Sequence, residues 1–209
     1  MEIEERVVTE REWNKIKESQ QKGLKDSWKD VQLFIDHLRD DLGINFRYRY
    51  PSRNEDIHKH IDIFIIVDGE EYGVDVKGFK KVNRSDDKPC FEATLIELLS
   101  VKGKLGWAFG KEKYVAFRQE DNSFLIVERE KLADLALSKV SLSVEEFNEL
   151  MRRFYQNNFN IPEIQIKPRM DKDNIIYDTL FHRRDRGDCI FFIRTEELKK
   201  IKVDKNLFK

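Results

Sequence analysis

Residues 61–77 read IDIFIIVDGEEYGVDVK, two largely apolar runs joined by an Asp-Gly pair. The run from Ile61 to Val67 is almost wholly apolar and rich in β-branched side chains, and Tyr72 to Lys77 resumes the same pattern. Such residues favour strands, and Asp68-Gly69 between them is a strong signal for a two-residue turn. The sequence therefore predicts a β-hairpin over this stretch.

The hairpin sets two carboxylates against each other. With a two-residue loop, Val67 pairs with Glu70, and counting outward from that pair opposes Asp62 to Asp75. Directly opposed residues have Cβ atoms about 4.5 to 5.5 Å apart. Strand alternation puts Lys77 on the face of Asp75. A longer turn would oppose Asp62 to Lys77 and keep the faces, so either register gathers two carboxylates and one ammonium at the open end of the hairpin.

Two opposed carboxylates in a buried sheet repel each other and are costly without a cation. Mg²⁺ suits them, because it takes oxygen ligands in octahedral geometry and usually keeps several waters. We therefore expect a Mg²⁺ site made by Asp62, Asp75 and the main-chain carbonyl of Val76, in which Mn²⁺ should substitute. Lys77 beside the ion can orient or deprotonate an attacking water. The alternative is an ordinary salt-bridged cluster of these residues at a sheet rim.

The elements around the hairpin predict an α/β domain. An amphipathic helix precedes it, with an apolar stripe of Trp28, Val31, Ile35, Leu38 and Leu42. In chain order we predict a helix over 27–42, strands over 45–50, 61–67 and 72–77, a helix over 91–101, and strands over 114–118 and 123–128.

The remaining chain predicts a smaller α+β extension. A helix over 131–137 precedes one that a Ser143–Glu146 capping box opens. Short strands over 164–167, 175–181 and 189–194 and a terminal helix over 195–201 follow. No Pro/Gly/Ser-rich linker divides the sequence, so one continuous domain is expected. Its parts are a charged N-terminal arm or helix (1–25), a core (26–140), and a C-terminal helix and strand extension packed on that core (141–209).

The order of elements from about residue 27 to 118 resembles the αβββαβ core of the PD-(D/E)XK nuclease superfamily, the restriction-endonuclease-like fold. The resemblance implies a mixed central sheet flanked by helices. It also implies that Asp62 and Asp75 bind the metal and that Lys77 serves catalysis. Ile61 stands where the family often has Pro, which is not a ligand.

Many members of this superfamily add a polar residue from the helix after the (D/E)xK strand. Glu92, Thr94 and Glu97 are the candidates here, and we choose Glu97 as a further catalytic residue. The alternative is a solvated glutamate on the helix face. The first helix can also contribute an acid, and the spacing does not select between Asp36 and Asp40.

Composition limits the class of protein. Of the 209 residues, 40% are apolar, 38% are charged and 15 are Phe, which excludes disorder of the whole chain. No apolar run approaches the roughly 20 residues that cross a bilayer. The N-terminal residues are charged where a signal peptide would be apolar, so a cytoplasmic location without membrane attachment is expected. Two cysteines without CxxC spacing indicate neither a zinc ribbon nor a disulfide framework.

Basic residues are concentrated in two blocks, although the formal net charge is only -1. Residues 77–118 hold ten bases against five acids, and residues 166–209 hold twelve against eight. Such blocks permit a nucleic-acid surface but are often just solvated faces. His58 and His60 alternate toward the face of Asp62 and suit phosphate contacts better than metal ligation. The candidates for binding nucleic acid are His60, Lys80, Lys81, Arg183, Arg184 and Arg186.

The sequence thus predicts a Mg²⁺-dependent nuclease, with DNA preferred to RNA on the resemblance alone. It has no GxxxxGK[ST], GxGxxG, GxSxG or HExxH motif that would favour another chemistry. Two alternatives stay open: a non-catalytic nucleic-acid-binding or assembly module on the same fold, and a toxin or defence nuclease activated by a partner through the C-terminal third. A homodimer or a protein partner is compatible with either.

Overall fold

The computed structural model describes residues 27–52, 59–79, 81–82, 86, 88–100, 104–156, 164–168, 170–183, 188–203 and 207–208. Two sheets and four helices build a mixed α/β fold from them. The strands are β1 (Arg47–Arg49), β2 (Ile63–Val67), β3 (Glu70–Lys77), β4 (Ala93–Leu99), β5 (Tyr114–Arg118), β6 (Phe124–Glu128), β7 (Gln165–Ile166), β8 (Phe181–Arg183) and β9 (Asp188–Arg194). The helices are α1 (27–36, continued by a π-helical turn at His37–Asp41), α2 (Arg129–Lys139), α3 (Val144–Gln156) and α4 (Thr195–Lys199), with a 3-10 turn at Trp107–Phe109.

The first sheet has the strand order β1-β2-β3-β5-β6. The pairs β1–β2, β2–β3 and β5–β6 are antiparallel, and β3–β5 is parallel. A mixed sheet was predicted, and the structure confirms it at this level. Strand β3 is the middle strand, and its carboxyl end at Lys77 extends past β2 and pairs with Phe117 of β5.

The hairpin of β2 and β3 has the predicted register. Val67 pairs with Glu70 and Ile63 with Val74. Asp68 and Gly69 have φ angles of 53° and 90°, and two positive values in a row are what a type I′ turn requires. The turn therefore fixes which residues of the two strands are opposed.

Helix α1 covers one face of this sheet. Phe34, Ile35 and Leu38 are wholly buried against a cluster that includes Val74 and Val76 of β3. The other face of the sheet, which carries Asp75 and Lys77, is therefore left to the second sheet. Trp28 departs from the predicted apolar stripe: it is 55% exposed, and its ring lies 4.7 Å from that of Tyr50.

The second sheet has the order β4-β9-β8-β7, and its first strand occupies the segment that was predicted as a helix over 91–101. That prediction is wrong, because β4 is buried on both faces. Ile96 and Leu98 enter one apolar cluster, whereas Ala93 and Leu95 enter another. A strand of that kind has no alternating pattern. A register shift between Glu97 and Leu99 disturbs the period further.

The prediction of a strand over 175–181 is also wrong. Over residues 175–180 an isolated bridge forms between Tyr177 and Phe192, the φ of 55° at Asp178 interrupts the extended chain, and strand β8 begins only at Phe181. The second sheet joins β4, from the predicted core, to β7, β8 and β9 of the predicted extension.

Other elements follow the prediction to within a few residues, namely β5, β6, β7, β9 and helices α2, α3 and α4. The capping box is formed, since Glu146 N–H donates to Ser143 Oγ at 3.1 Å and Ser143 N–H donates to Glu146 Oε2 at 2.7 Å. None of the helices in the described part of the chain has the length and apolar character needed to cross a membrane.

Candidate metal and phosphodiester site

Asp62 and Asp75 meet at the open end of the hairpin. Asp62 lies one residue before β2, and its N–H donates to the Val74 carbonyl at 2.9 Å, so Asp62 and Ile63 both lie opposite Val74 and the register shifts by one residue here. Asp62 Oδ2 accepts a hydrogen bond of 2.7 Å from the N–H of Val76. Asp75 is only 3% exposed. The two carboxyl groups that the sequence set against each other are therefore together in the structure.

The electrostatics of Asp62 reflect this crowding. Burial raises its pKa first, repulsion from Asp75 and a hydrogen bond between the two carboxyl groups raise it further, and the pKa reaches about 8. Lys77 and the Val76 N–H lower the pKa of Asp62, but by less than burial and Asp75 raise it. A cation near this carboxyl group would lower its pKa, because a positive charge favours the ionised form.

Lys77 completes the cluster. Its Nζ lies 2.6 Å from Asp75 Oδ2 and 4.6 Å from the centre of the Trp107 ring. Burial of the ammonium lowers the pKa of Lys77, but the carboxylate of Asp75, followed by Asp62 and Glu112, more than reverses that effect and raises it. The lysine is therefore charged, and it is held in one orientation between a carboxylate and an aromatic face.

Glu112 is a third carboxyl group that the sequence reasoning missed. It is 1% exposed, and neither of its oxygens has a hydrogen-bond partner among the described residues. Burial and the charge of Asp75 raise its pKa to about 9. Gly110 makes room for it, because a Cβ at this position would lie 1.9 Å from Glu112 Oε2.

The donor set suits a hard divalent cation, although it is small. Within the described ranges, no group of three or more Asp, Glu, His or Cys side chains is arranged to hold a metal ion. Asp62 and Asp75 would therefore be the side-chain ligands, with the Val76 carbonyl, water and substrate completing the shell, as expected for Mg²⁺. Glu112 stays protonated at neutral pH in the structure as it stands, because its pKa is about 9.

A cavity of about 1020 Å³ opens beside Lys77, between the end of β3, β4 and the strands β7 and β8. We call it the basic cleft. Aromatic walls are provided by Phe79, Phe91, Trp107 and Phe117. Among the described residues that line it, the charged side chains are those of Lys77, Lys81, Arg118, Lys167, Arg183 and Glu97.

Several predicted site residues reach this cleft. Glu97 lines it, but from a strand, not from the helix on which it was placed. Lys81 and Arg183 also line it, and the Arg183 guanidinium is ion-paired with buried Asp188. His60 is half-buried at a φ of 56° and is not among the residues of the cleft wall. Lys80, Arg184 and Arg186, together with His58 and the arm over 1–25, lie outside the described residues.

The first-helix acid that reaches the end of β3 is neither of those considered. Asp36 accepts a hydrogen bond from Gln32, and Asp40 is exposed. Asp30 instead forms an ion pair of 2.7 Å with Arg118, and its carboxylate lies so close to Gly78 that a Cβ there would be 1.8 Å from Oδ2. A tertiary contact of this kind is not visible in sequence spacing.

Comparisons of the chain with protein-family models, with curated proteins and with solved structures give no significant match.

Proposed function

We propose that this protein is a metal-dependent nuclease that hydrolyses phosphodiester bonds of nucleic acid, with DNA as the expected substrate. The observation that carries the proposal is the arrangement of Lys77. Its ammonium is ion-paired with Asp75, which interacts with Asp62, and it also forms part of the wall of the basic cleft. A phosphate in the cleft would thus meet a lysine that contacts one of the two carboxylates.

The residues of the site have separable roles in this proposal. Asp62 and Asp75 would hold Mg²⁺, which supplies Lewis acidity and an ordered water when bound. The Val76 N–H fixes the orientation of the Asp62 carboxylate. Lys77 would stabilise the charge that develops on the phosphate, as a preorganised cation in a poorly solvated place does. Glu97 lines the same cleft as the lysine and would assist from there.

The mixed sheet with α1 on one face supports the resemblance to the PD-(D/E)XK superfamily, and β4 is a departure from it. The αβββαβ order has a helix after the (D/E)xK strand, whereas this chain has β4, Ala93–Leu99, in a second sheet. The departure does not affect Asp62, Asp75 or Lys77. Asp75 and Lys77 lie on β3, and Asp62 lies one residue before β2. The proposal therefore rests on these residues and on the cleft, and not on the identity of the crossover.

The test is nicking of supercoiled plasmid with Mg²⁺, with Mn²⁺ and with EDTA, for the wild type and Asp75→Asn. We expect cleavage by the wild type with either metal and none with EDTA or with the variant. Glu130→Gln is the matched control, since Glu130 is 85% exposed on α2. Nicking by Asp75→Asn at the rate of the control variant would refute the proposal.

A non-catalytic binding module would give a different pattern. It would retard DNA in a gel without cleaving it under any metal condition, and Asp75→Asn would bind as well as the wild type. A toxin or defence nuclease would cleave only after addition of its activating partner, and expression of the wild type, but not of Asp75→Asn, would then slow cell growth.

A further inference from the structure

We infer that the basic cleft binds a single strand of nucleic acid and not an intact duplex. This inference rests on the proposed function, because it names the substrate class of the same site. Three features carry it: the balance of charge in the cleft, the depth of its cations, and the aromatic side chains beside them.

Cations outnumber acids on the wall of the cleft. Among the described residues, the wall holds the five cations Lys77, Lys81, Arg118, Lys167 and Arg183 and one carboxylate, that of Glu97. Three of these cations are ion-paired with acids outside the wall: Lys77 with Asp75, Arg118 with Asp30 at 2.7 Å, and Arg183 with buried Asp188. These ion pairs hold the cationic groups in place, so little side-chain entropy is lost when a phosphate approaches them.

Three of the five cations are recessed, whereas Lys81 is exposed. The side chains of Lys77, Arg118 and Arg183 are 21%, 13% and 20% exposed. A phosphate must therefore enter the cleft to reach them. The volume of about 1020 Å³ is near the upper end of the range of drug-sized ligand pockets, about 300 to 1000 Å³. It admits a short piece of one strand, whereas a turn of duplex is about 34 Å long and rigid.

Aromatic side chains provide places for the bases. Phe79 and Phe91 are half-buried on the cleft wall, with ring centres 4.9 Å apart, and the Arg118 guanidinium lies 4.2 Å above the Phe79 ring. Proteins that hold single strands without reading sequence combine a cationic groove with aromatic rings on which bases stack. Both components are present within one cavity here, next to the lysine proposed to act on the phosphate.

The test is binding of a fluorescein-labelled single-stranded oligonucleotide and of the duplex of equal length, by fluorescence anisotropy in EDTA at several salt concentrations. EDTA makes the result independent of hydrolysis. We expect the single strand to bind at least about tenfold more tightly than the duplex. In Lys81→Gln/Lys167→Gln, the slope of log K against log salt should fall by about 1.4, or about 0.7 for each lost phosphate contact. Phe91→Leu, which keeps apolar volume, should weaken binding by about tenfold through lost stacking.

The control is Lys131→Gln/Lys199→Gln, two exposed lysines on α2 and α4 that are outside the cleft wall. It removes the same charge and should leave the slope unchanged. Equal or tighter binding of duplex, or equal slopes for the two double variants, would overturn the inference. So would competition by free mononucleotide at concentrations where it displaces the strand, which would indicate a nucleotide pocket. If the strand binds as expected and neither plasmid nor the single-stranded oligonucleotide is cleaved with Mg²⁺ or Mn²⁺, the proposed activity fails and the binding inference stands.

Discussion

Asp62 Oδ2 accepts a hydrogen bond of 2.7 Å from the N–H of Val76, so the strand that bears one carboxylate positions the other. Strand β2 begins only at Ile63. The Asp62 side chain therefore accepts a hydrogen bond from the Val76 N–H, which would otherwise have no partner on this side of β3. The residue therefore has a structural role as well as the proposed one in metal binding, and experiments must separate the two.

The first prediction distinguishes the structural role of Asp62 from its proposed role in metal binding. Asp62→Ala removes the acceptor and leaves the Val76 N–H unsatisfied, at a cost of about 1 to 3 kcal/mol, so its melting temperature should fall. Asp62→Asn keeps an acceptor and removes the repulsion between carboxyl groups, so it should melt at or above the wild-type temperature. Both should lose at least about 10²-fold in nicking rate. Wild-type nicking by a well-folded Asp62→Asn would restrict the residue to its structural role.

The second prediction concerns Lys77. Lys77→Ala should lower the single-turnover cleavage rate by about 10² or more, as the loss of a preorganised charge does elsewhere. Lys77→Arg keeps the charge but has a different geometry and cannot accept a proton, so it should recover little activity. If the lysine only neutralises Asp75, the arginine variant should cleave like the wild type. Lys131→Ala, on an exposed helix surface, serves as the control for loss of one positive charge.

The third prediction is a dependence of stability on pH in the absence of metal. The pKa values of Asp62 and Glu112 are raised to about 8 and about 9 in the folded protein, against ordinary values near 4 in the unfolded chain. Between these values the folded state binds more protons than the unfolded state, so stability falls as pH rises. The melting temperature in EDTA should therefore be higher at pH 6 than at pH 9. Glu112→Gln should flatten this dependence and raise the melting temperature at pH 9.

The fourth prediction concerns the metal itself. An ion that binds only the native state stabilises it by mass action, by about 2.7 kcal/mol at a concentration 100 times its Kd. Addition of Mg²⁺ or Mn²⁺ at pH 8 should raise the melting temperature of the wild type by several degrees. The double variant Asp62→Asn/Asp75→Asn should show no such increase. Equal increases in the two proteins would place the ion elsewhere.

Local sequence signals predicted the hairpin and its consequences. The Asp68-Gly69 turn determines its own geometry from two residues, and a period of two then pairs the strands as far as Ile63 and Val74, which brings Asp62 close to Asp75. Nothing from the rest of the chain is needed for that inference. For the same reason, the capping box at Ser143 and Glu146 was predictable.

Tertiary burial made the remaining features unpredictable. Strand β4 lies between two apolar clusters, so its sequence has the leucine spacing of a helix. Glu112 comes just before a strand and looks like a solvated loop residue, and only the parallel pairing of β3 with β5 brings it near Asp75. Gly110 was a signal that the sequence offered, because a glycine near a strand often marks a close approach of another group, here the Glu112 carboxyl.

Because β4 pairs with β9, the cleft can be completed only late in synthesis of the chain. Thr94 of β4 contacts Thr195, 101 residues further along the chain, whereas β1, β2, β3, β5 and β6 are all complete by Glu128. At about 5 to 20 residues per second, β9 leaves the ribosome many seconds after the strands that carry Asp62, Asp75 and Lys77. A nascent chain would thus hold the proposed metal ligands while it still lacks one wall of the cleft. On the proposed function, the growing protein would be unable to bind its substrate strand until β7, β8 and β9 have been synthesised.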